Sequence, residues 1–200
     1  MKMTPLERIL LLLTCLLAAY QIVVGVEGLS ELAVFSYTLG FGVLLLASLL
    51  MIILGFEVLA SPPVVIIATL LPLSLALGLV WEHLPAWRIP YLIFTIAGFL
   101  AVLVTRLAES GRLGTIALVV VHGVAGLVIF ILPIALSLSG QMPPGYILVG
   151  VGGALIGAGG LLLSFLKMGK SILPQSTLYR LFPGLLLAAT AAFVAGFALG

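Results

Sequence analysis

His122 lies in the middle of the apolar run "VVVHGVAGLVIFILPIAL", residues 119–136, where a titratable ring is costly to bury. An imidazole in such a run can ligate the metal of a haem or a chlorophyll-type pigment, hydrogen-bond a quinone, or take part in a proton relay. Gly123 and Gly126 would let a flat cofactor ring approach the backbone. The only other histidine, His83, falls between apolar runs, so bis-histidine haem ligation within the chain is not expected. The alternative is a structural His122, hydrogen-bonded inside a helical bundle.

A rise of ~1.5 Å per residue, counted from the helix ends, places three further polar side chains at the depth of His122. They are Gln21, Ser74 and Thr95. Such a layer is a candidate substrate site for a small transporter or channel, with Pro72 and Pro133 breaking helices beside it. A hydrophilic substrate needs more polar lining than this, and no carboxylate is expected at that depth.

The elements that must position these residues are apolar throughout. The chain has 200 residues, of which 64% are hydrophobic and 7% charged, and its mean hydropathy is +1.44; soluble domains are about a quarter charged. Seven runs are each long enough to cross a hydrocarbon core of roughly 30 Å as a helix. We therefore predict an all-α transmembrane bundle, forming one domain over residues 1–200, with spans at 8–26, 32–57, 62–81, 88–107, 113–137, 145–166 and 178–199.

Lysine and arginine are distributed unevenly over the predicted loops. With the N-terminus inside, the outer loops hold only Arg88, and all other basic residues fall on the inner side. This bias predicts a cytoplasmic N-terminus and an external C-terminus, in the cytoplasmic membrane of a prokaryote. Lys167 and Lys170, just inside the membrane, are expected to attract anionic lipid headgroups.

The sixth span is rich in glycine, in the stretch "GVGGALIGAGG". Glycine removes side-chain bulk and lets another backbone approach closely. Tight packing is therefore predicted against a helix of this chain, another subunit or a cofactor ring. The residues expected to provide it are Gly152, Gly153, Gly157 and Gly160.

Polar and aromatic residues cluster where the spans end. Glu82 and His83 are expected to be solvated at a helix end, and Trp81, Trp87 and Arg88 are typical of an aromatic belt at a membrane interface. Tyr37, Tyr91 and Tyr146 each begin an even-numbered span, as three hairpins of common descent would. Anchoring in the membrane is the first expectation for this aromatic belt, and the alternative is a surface for a partner subunit or a lipophilic ligand.

No catalytic motif or cluster of metal ligands occurs in the sequence, so an enzyme is not expected. The single Cys15 excludes an intramolecular disulfide, and the few basic residues form no nucleic-acid patch. We expect an integral subunit of a larger membrane assembly, such as an electron-transfer or photosynthetic complex, that binds an apolar cofactor or lipid. Its expected partners are membrane lipids and other membrane subunits or further copies of itself. The alternative is a small transporter or channel with a central site near Gln21, Ser74 and His122.

Overall fold

The computed structural model describes residues 3–108, 111–167 and 172–200, without the side chains of residues 60, 164, 165 and 167. Within these ranges the regular structure is entirely helical, and seven helices are long and apolar enough to cross a membrane. This confirms the predicted all-α architecture and the number of apolar helices. The long helices are α1 (Pro5–Val24), α2 (Glu31–Leu54), α3 (Pro62–His83), α4 (Arg88–Leu107), α5 (Gly111–Leu138), α6 (Ile147–Lys167) and α7 (Gln175–Ala198), and short 3-10 turns cover Phe56–Ala60, Pro85–Trp87 and Pro144–Tyr146.

The helix ends follow local sequence signals. α1 begins with a capping box, in which the Glu7 N–H donates to Thr4 Oγ1 at 3.3 Å and the Thr4 N–H donates to Glu7 Oε2 at 2.7 Å. Gly25 and Gly55 end α1 and α2 with φ of 68° and 80°, a conformation that residues with a Cβ avoid. The second helix therefore stops at Leu54, before the predicted boundary at residue 57.

Two prolines expected to break helices lie inside continuous ones. α3 continues through Pro72 and α5 continues through Pro133. The expectation of broken helices beside a central site is therefore wrong. A proline can be accommodated in a buried helix when neighbouring groups compensate for the lost backbone hydrogen bond.

Six of the helices form a ring in which each packs on the next, in the order α1, α2, α3, α5, α6 and α7, and α7 closes onto α1. α4 packs outside this ring, against α3 and α5. Aromatic side chains of α2 and α7 meet inside the ring, where the Phe41 and Phe193 rings lie edge to face with centroids 6.4 Å apart. α3 is the most buried of the seven helices, and α4 and α5 are the least buried.

Consecutive helices run antiparallel, so their connections alternate between two ends of the bundle. The end formed by residues 25–30, 84–87, 139–146 and 199–200 is called the Glu82 end below. The opposite end, where α1 begins at its capping box, is called the Thr4 end. The two ends differ in the polar side chains that they carry.

The glycines of α6 differ in their surroundings. A Cβ on Gly153 would lie 2.7 Å from Cγ2 of Ile129 on α5 and 2.9 Å from its backbone carbon, and a Cβ on Gly152 would lie 2.7 Å from the Phe193 ring on α7. A Cβ on Gly157 or Gly160 would meet no described atom within 4 Å. Of the four glycines predicted to provide tight packing, Gly152 and Gly153 therefore have the closest described neighbours, in the half of α6 nearer the Glu82 end.

We expect Gly153→Ala to destabilise the bundle by about 1–3 kcal/mol, because the new methyl group meets backbone atoms of Ile129 that cannot turn away. Gly157→Ala, one helical turn away, should be neutral or stabilise by up to about 1 kcal/mol through helix propensity. Unfolding of both variants in mixed detergent micelles measures the difference. Equal stabilities of the two variants would contradict the packing described here.

Candidate functional site

His122 lies on α5 and is partly buried. Its Nδ1 is 3.1 Å from the Leu118 carbonyl oxygen of the same helix. No described residue hydrogen-bonds the other ring nitrogen, Nε2. Gly123 is exposed, and a Cβ on Gly123 or Gly126 would meet no described atom within 4 Å. Among the described residues α5 is therefore open at these two glycines, and neither of the two clefts described below includes His122.

The other residues of the predicted central layer lie on three different helices. Gln21 is in the last turn of α1, where its Nε2 donates to the Gly25 carbonyl at 2.7 Å, close to the Glu82 end. Ser74 donates to the Leu71 carbonyl of its own helix at 3.2 Å, and Thr95 Oγ1 on α4 is buried without a partner. Among the described residues, no hydrogen bond joins any two members of the layer. The structure does not assemble them into one site.

The two best-formed clefts of the described chain are small. One lies between α1 and α2, beside Gln21, Tyr37 and Phe41, and the other lies between α2 and α3. Each has room for about one water molecule. Neither cleft admits a haem, a pigment or a substrate of ordinary size.

The predicted headgroup lysines cannot be placed. Lys170 lies outside the described residues, and so does the side chain of Lys167. Their proposed contact with anionic lipid stays a prediction.

The main polar cluster of the described chain lies at the Glu82 end. Its first part joins α3 to the start of α2, because Glu82 Oε2 accepts hydrogen bonds from the Ser30 N–H at 3.2 Å and from the Ser30 hydroxyl at 2.9 Å. Ser30 precedes the first turn of α2 and does not cap it with its own side chain. A hydrogen bond to a carboxylate is about twice as strong as one between neutral groups. Glu82 thus ties two helices together at this end.

The second part of the cluster crosses the bundle. Nε2 of His83 lies 2.9 Å from the Tyr146 hydroxyl, and the Tyr146 hydroxyl also interacts with the Tyr37 hydroxyl of α2. Both tyrosines are 4% exposed. The Phe197 ring of α7 packs against both, with centroids 4.7 Å from Tyr37 and 6.2 Å from Tyr146. Polar and aromatic contacts together join α2, α3, α7 and the turn before α6.

Arg88 lies beside this cluster at the start of α4. Its Nε donates to the Trp81 carbonyl at 2.5 Å, and its guanidinium carbon lies 5.6 Å from the centroid of the Trp81 ring. Among the described residues, no carboxylate lies within ion-pair distance of it. Its guanidinium is held by α3 without being neutralised.

The Glu82 end holds helices together and carries a guanidinium that can bind an anion. The described residues contain no group of three histidine, cysteine, aspartate or glutamate side chains that could hold a metal ion. Sequence reasoning treated Glu82 and His83 as solvated helix ends and missed their partners. The signal available was positional: Tyr37 and Tyr146 follow outer loops, so alternating helices would bring them to the same end as His83.

Five buried polar atoms of the described chain have no hydrogen-bond partner, and three of them lie on α4. These three are the Tyr91 hydroxyl, Thr95 Oγ1 and Arg106 Nε. A buried polar group without a partner costs about 1–3 kcal/mol. α4, the helix outside the ring, therefore carries more of these unpartnered buried atoms than any other described helix.

The chain matches no family model, no curated protein and no solved structure. Function has to be inferred from the geometry of the chain itself.

We expect Tyr146→Phe to lower the free energy of unfolding by about 1 kcal/mol, because it removes the hydroxyl that bridges His83 and Tyr37. Tyr91→Phe is the matched control, since Tyr91 on α4 is also buried and its hydroxyl has no partner. Its removal should be neutral or stabilising. Unfolding in mixed micelles compares the two variants. A larger loss for Tyr91→Phe than for Tyr146→Phe would contradict this assignment of partners.

Proposed function

We propose that the chain is an integral membrane protein that serves as a subunit of a larger membrane assembly, and that it associates through the open side of α5. The observation that carries this proposal is His122. It is a polar side chain on an apolar helix, and its Nε2 has no hydrogen-bond partner among the described residues. Hydrocarbon offers no hydrogen bond. A group from outside the chain would satisfy this nitrogen.

The surroundings of His122 support the same proposal. The exposed face of α5, one of the two least buried helices, consists of Ile116, Val120, Gly123 and Leu127. Gly123 leaves a notch in this face. Small residues at such a position allow a second helix to approach closely.

A transporter or channel with its own central site is less well supported. Gln21, Ser74 and His122 are not joined, and the best-formed clefts are about the size of a water molecule. A haem, pigment or quinone held through His122 would instead lie outside the bundle, between this chain and a partner.

The orientation that we propose has the Thr4 end in the cytoplasm. Arg8, Arg106, Arg112 and Arg180 lie on helix segments near the Thr4 end, whereas Arg88 lies at the Glu82 end. The positive-inside rule favours the more basic end on the cytoplasmic side. The C-terminus would then lie outside.

The subunit proposal is tested by filling the notch. Gly123→Leu should release the partner from the protein purified gently from native membranes, because its side chain occupies the space of the second helix. Gly42→Leu on α2 is the matched control, since a Cβ there also meets open space on another side of the bundle. Mass spectrometry of the purified complexes identifies the partner, a second copy included. A wild-type protein purified as a single chain, or equal retention by both variants, would show the proposal to be wrong.

An absorption spectrum of the same preparation tests for a cofactor at His122. A haem or pigment held by His122 gives a visible band that is lost in His122→Ala and kept in Gly42→Leu. A band that survives His122→Ala would place the cofactor elsewhere. A colourless wild-type complex would leave His122 paired with a protein group of the partner.

A further inference from the structure

We propose that Arg88 and the tryptophans beside it form a binding site for the phosphate of an anionic phospholipid at the Glu82 end. The inference does not depend on the subunit proposal, because it is argued from a cation at the start of α4 and the exposed side of that helix, whereas the subunit proposal is argued from His122 and Gly123 on α5. Four observations carry it.

The first observation is that Arg88 is an isolated cation. The loops of the Glu82 end contain no other lysine or arginine. The carboxylate six residues before it, Glu82, is occupied by two hydrogen bonds from Ser30. No described carboxylate comes within ion-pair distance of the guanidinium. An anion from outside the chain would neutralise the charge of the guanidinium.

The second observation is that the guanidinium is already positioned. The Nε–H donates to the Trp81 carbonyl at 2.5 Å, and the guanidinium carbon lies 5.6 Å from the Trp81 ring centroid. A guanidinium has five N–H donors, so the two terminal nitrogens keep four of them for a ligand. Arginine presents these donors in a planar fork that fits phosphate oxygens. Because the side chain is held before the ligand arrives, less entropy is lost on binding.

The third observation is an exposed aromatic ring next to the cation. Trp87 precedes Arg88 and is 61% exposed. Tryptophan favours the headgroup level of a membrane, where its ring contacts both the apolar and the polar layer. Its neighbour Arg88 is therefore placed at the depth of lipid phosphates rather than among acyl chains.

The fourth observation is an apolar ridge along α4 that begins at Ile89, the residue after the cation. Ile89, Ile93, Ile96 and Leu100 are all at least half exposed and follow one side of the helix. A ridge of this kind fits an acyl chain running beneath a headgroup. Phosphate above and hydrocarbon below are the two halves of a phospholipid, and free phosphate would use only the first.

The experiment uses the two tryptophans of the chain, Trp81 and Trp87, which both flank Arg88. The full-length protein in neutral detergent micelles is titrated with phosphatidylglycerol, with phosphatidylcholine and with inorganic phosphate, while tryptophan fluorescence is followed. We expect a saturable change with phosphatidylglycerol alone. A charge-assisted contact of this kind predicts at least about a tenfold loss of affinity for phosphatidylglycerol in Arg88→Gln.

Two variants separate a specific site from general attraction. Arg88→Lys keeps the charge without the planar fork and should bind more weakly than wild type but more tightly than Arg88→Gln. Arg180→Gln removes the same charge from an exposed position on α7 towards the Thr4 end and should bind as wild type does. Thermal unfolding in neutral micelles establishes that each variant is folded, and native mass spectrometry counts the bound lipid independently of fluorescence.

Three results would overturn the proposal. In the first, Arg88→Gln and Arg180→Gln bind phosphatidylglycerol equally. In the second, phosphatidylcholine gives the same saturable change as phosphatidylglycerol. In the third, inorganic phosphate alone reproduces the change, which would make the site one for a free anion rather than for a lipid.

Discussion

The need to satisfy polar groups without water governs this structure. The backbone meets that need by being helical throughout the described spans. Three interior threonines meet it in the same way, because Thr14, Thr69 and Thr190 each donate to the carbonyl four residues earlier in their own helix. Such bonds use no neighbouring helix. The middle of the bundle is therefore held together by packing, and the polar contacts between helices are concentrated at the Glu82 end.

Packing between the helices depends on glycines placed opposite large rings. Gly78 of α3 faces the Tyr37 ring of α2, where a Cβ would lie 2.5 Å from a ring carbon, and Gly152 faces the Phe193 ring of α7. Close packing of this kind is sensitive to the volume of the facing side chains. The bonds from Ser30 to Glu82 and from His83 to Tyr146 add directional contacts of fixed length. The Glu82 end thus combines close packing with hydrogen bonds between helices.

α4 differs from the other helices both in the hydrogen bonding of its buried groups and in its packing. It lies outside the ring, and its buried face carries Tyr91, Thr95 and Arg106 with polar atoms that lack partners. Its attachment to α3 and α5 relies on apolar contacts, such as Gly98 against Val121, and on the Arg88–Trp81 contact at one end. The helix that is least satisfied internally is also one of the two most open to its surroundings. That combination explains why both proposals concern this side of the molecule.

The all-helical fold could be predicted from the seven long apolar runs. A backbone without access to water must satisfy its own hydrogen bonds, and within one apolar run a helix does this. Glycine and proline marked the helix ends to within a few residues, as at Gly25 and Gly55. Side-chain partners were decided by the tertiary structure. Depth counting grouped Gln21 with His122, but the Gln21 side chain bonds the Gly25 carbonyl at the end of its own helix, and the His122 ring contacts the Leu118 carbonyl of α5. The rotation of each helix about its axis could not be predicted, because nearly all residues are apolar and every face of such a helix can be buried at similar cost.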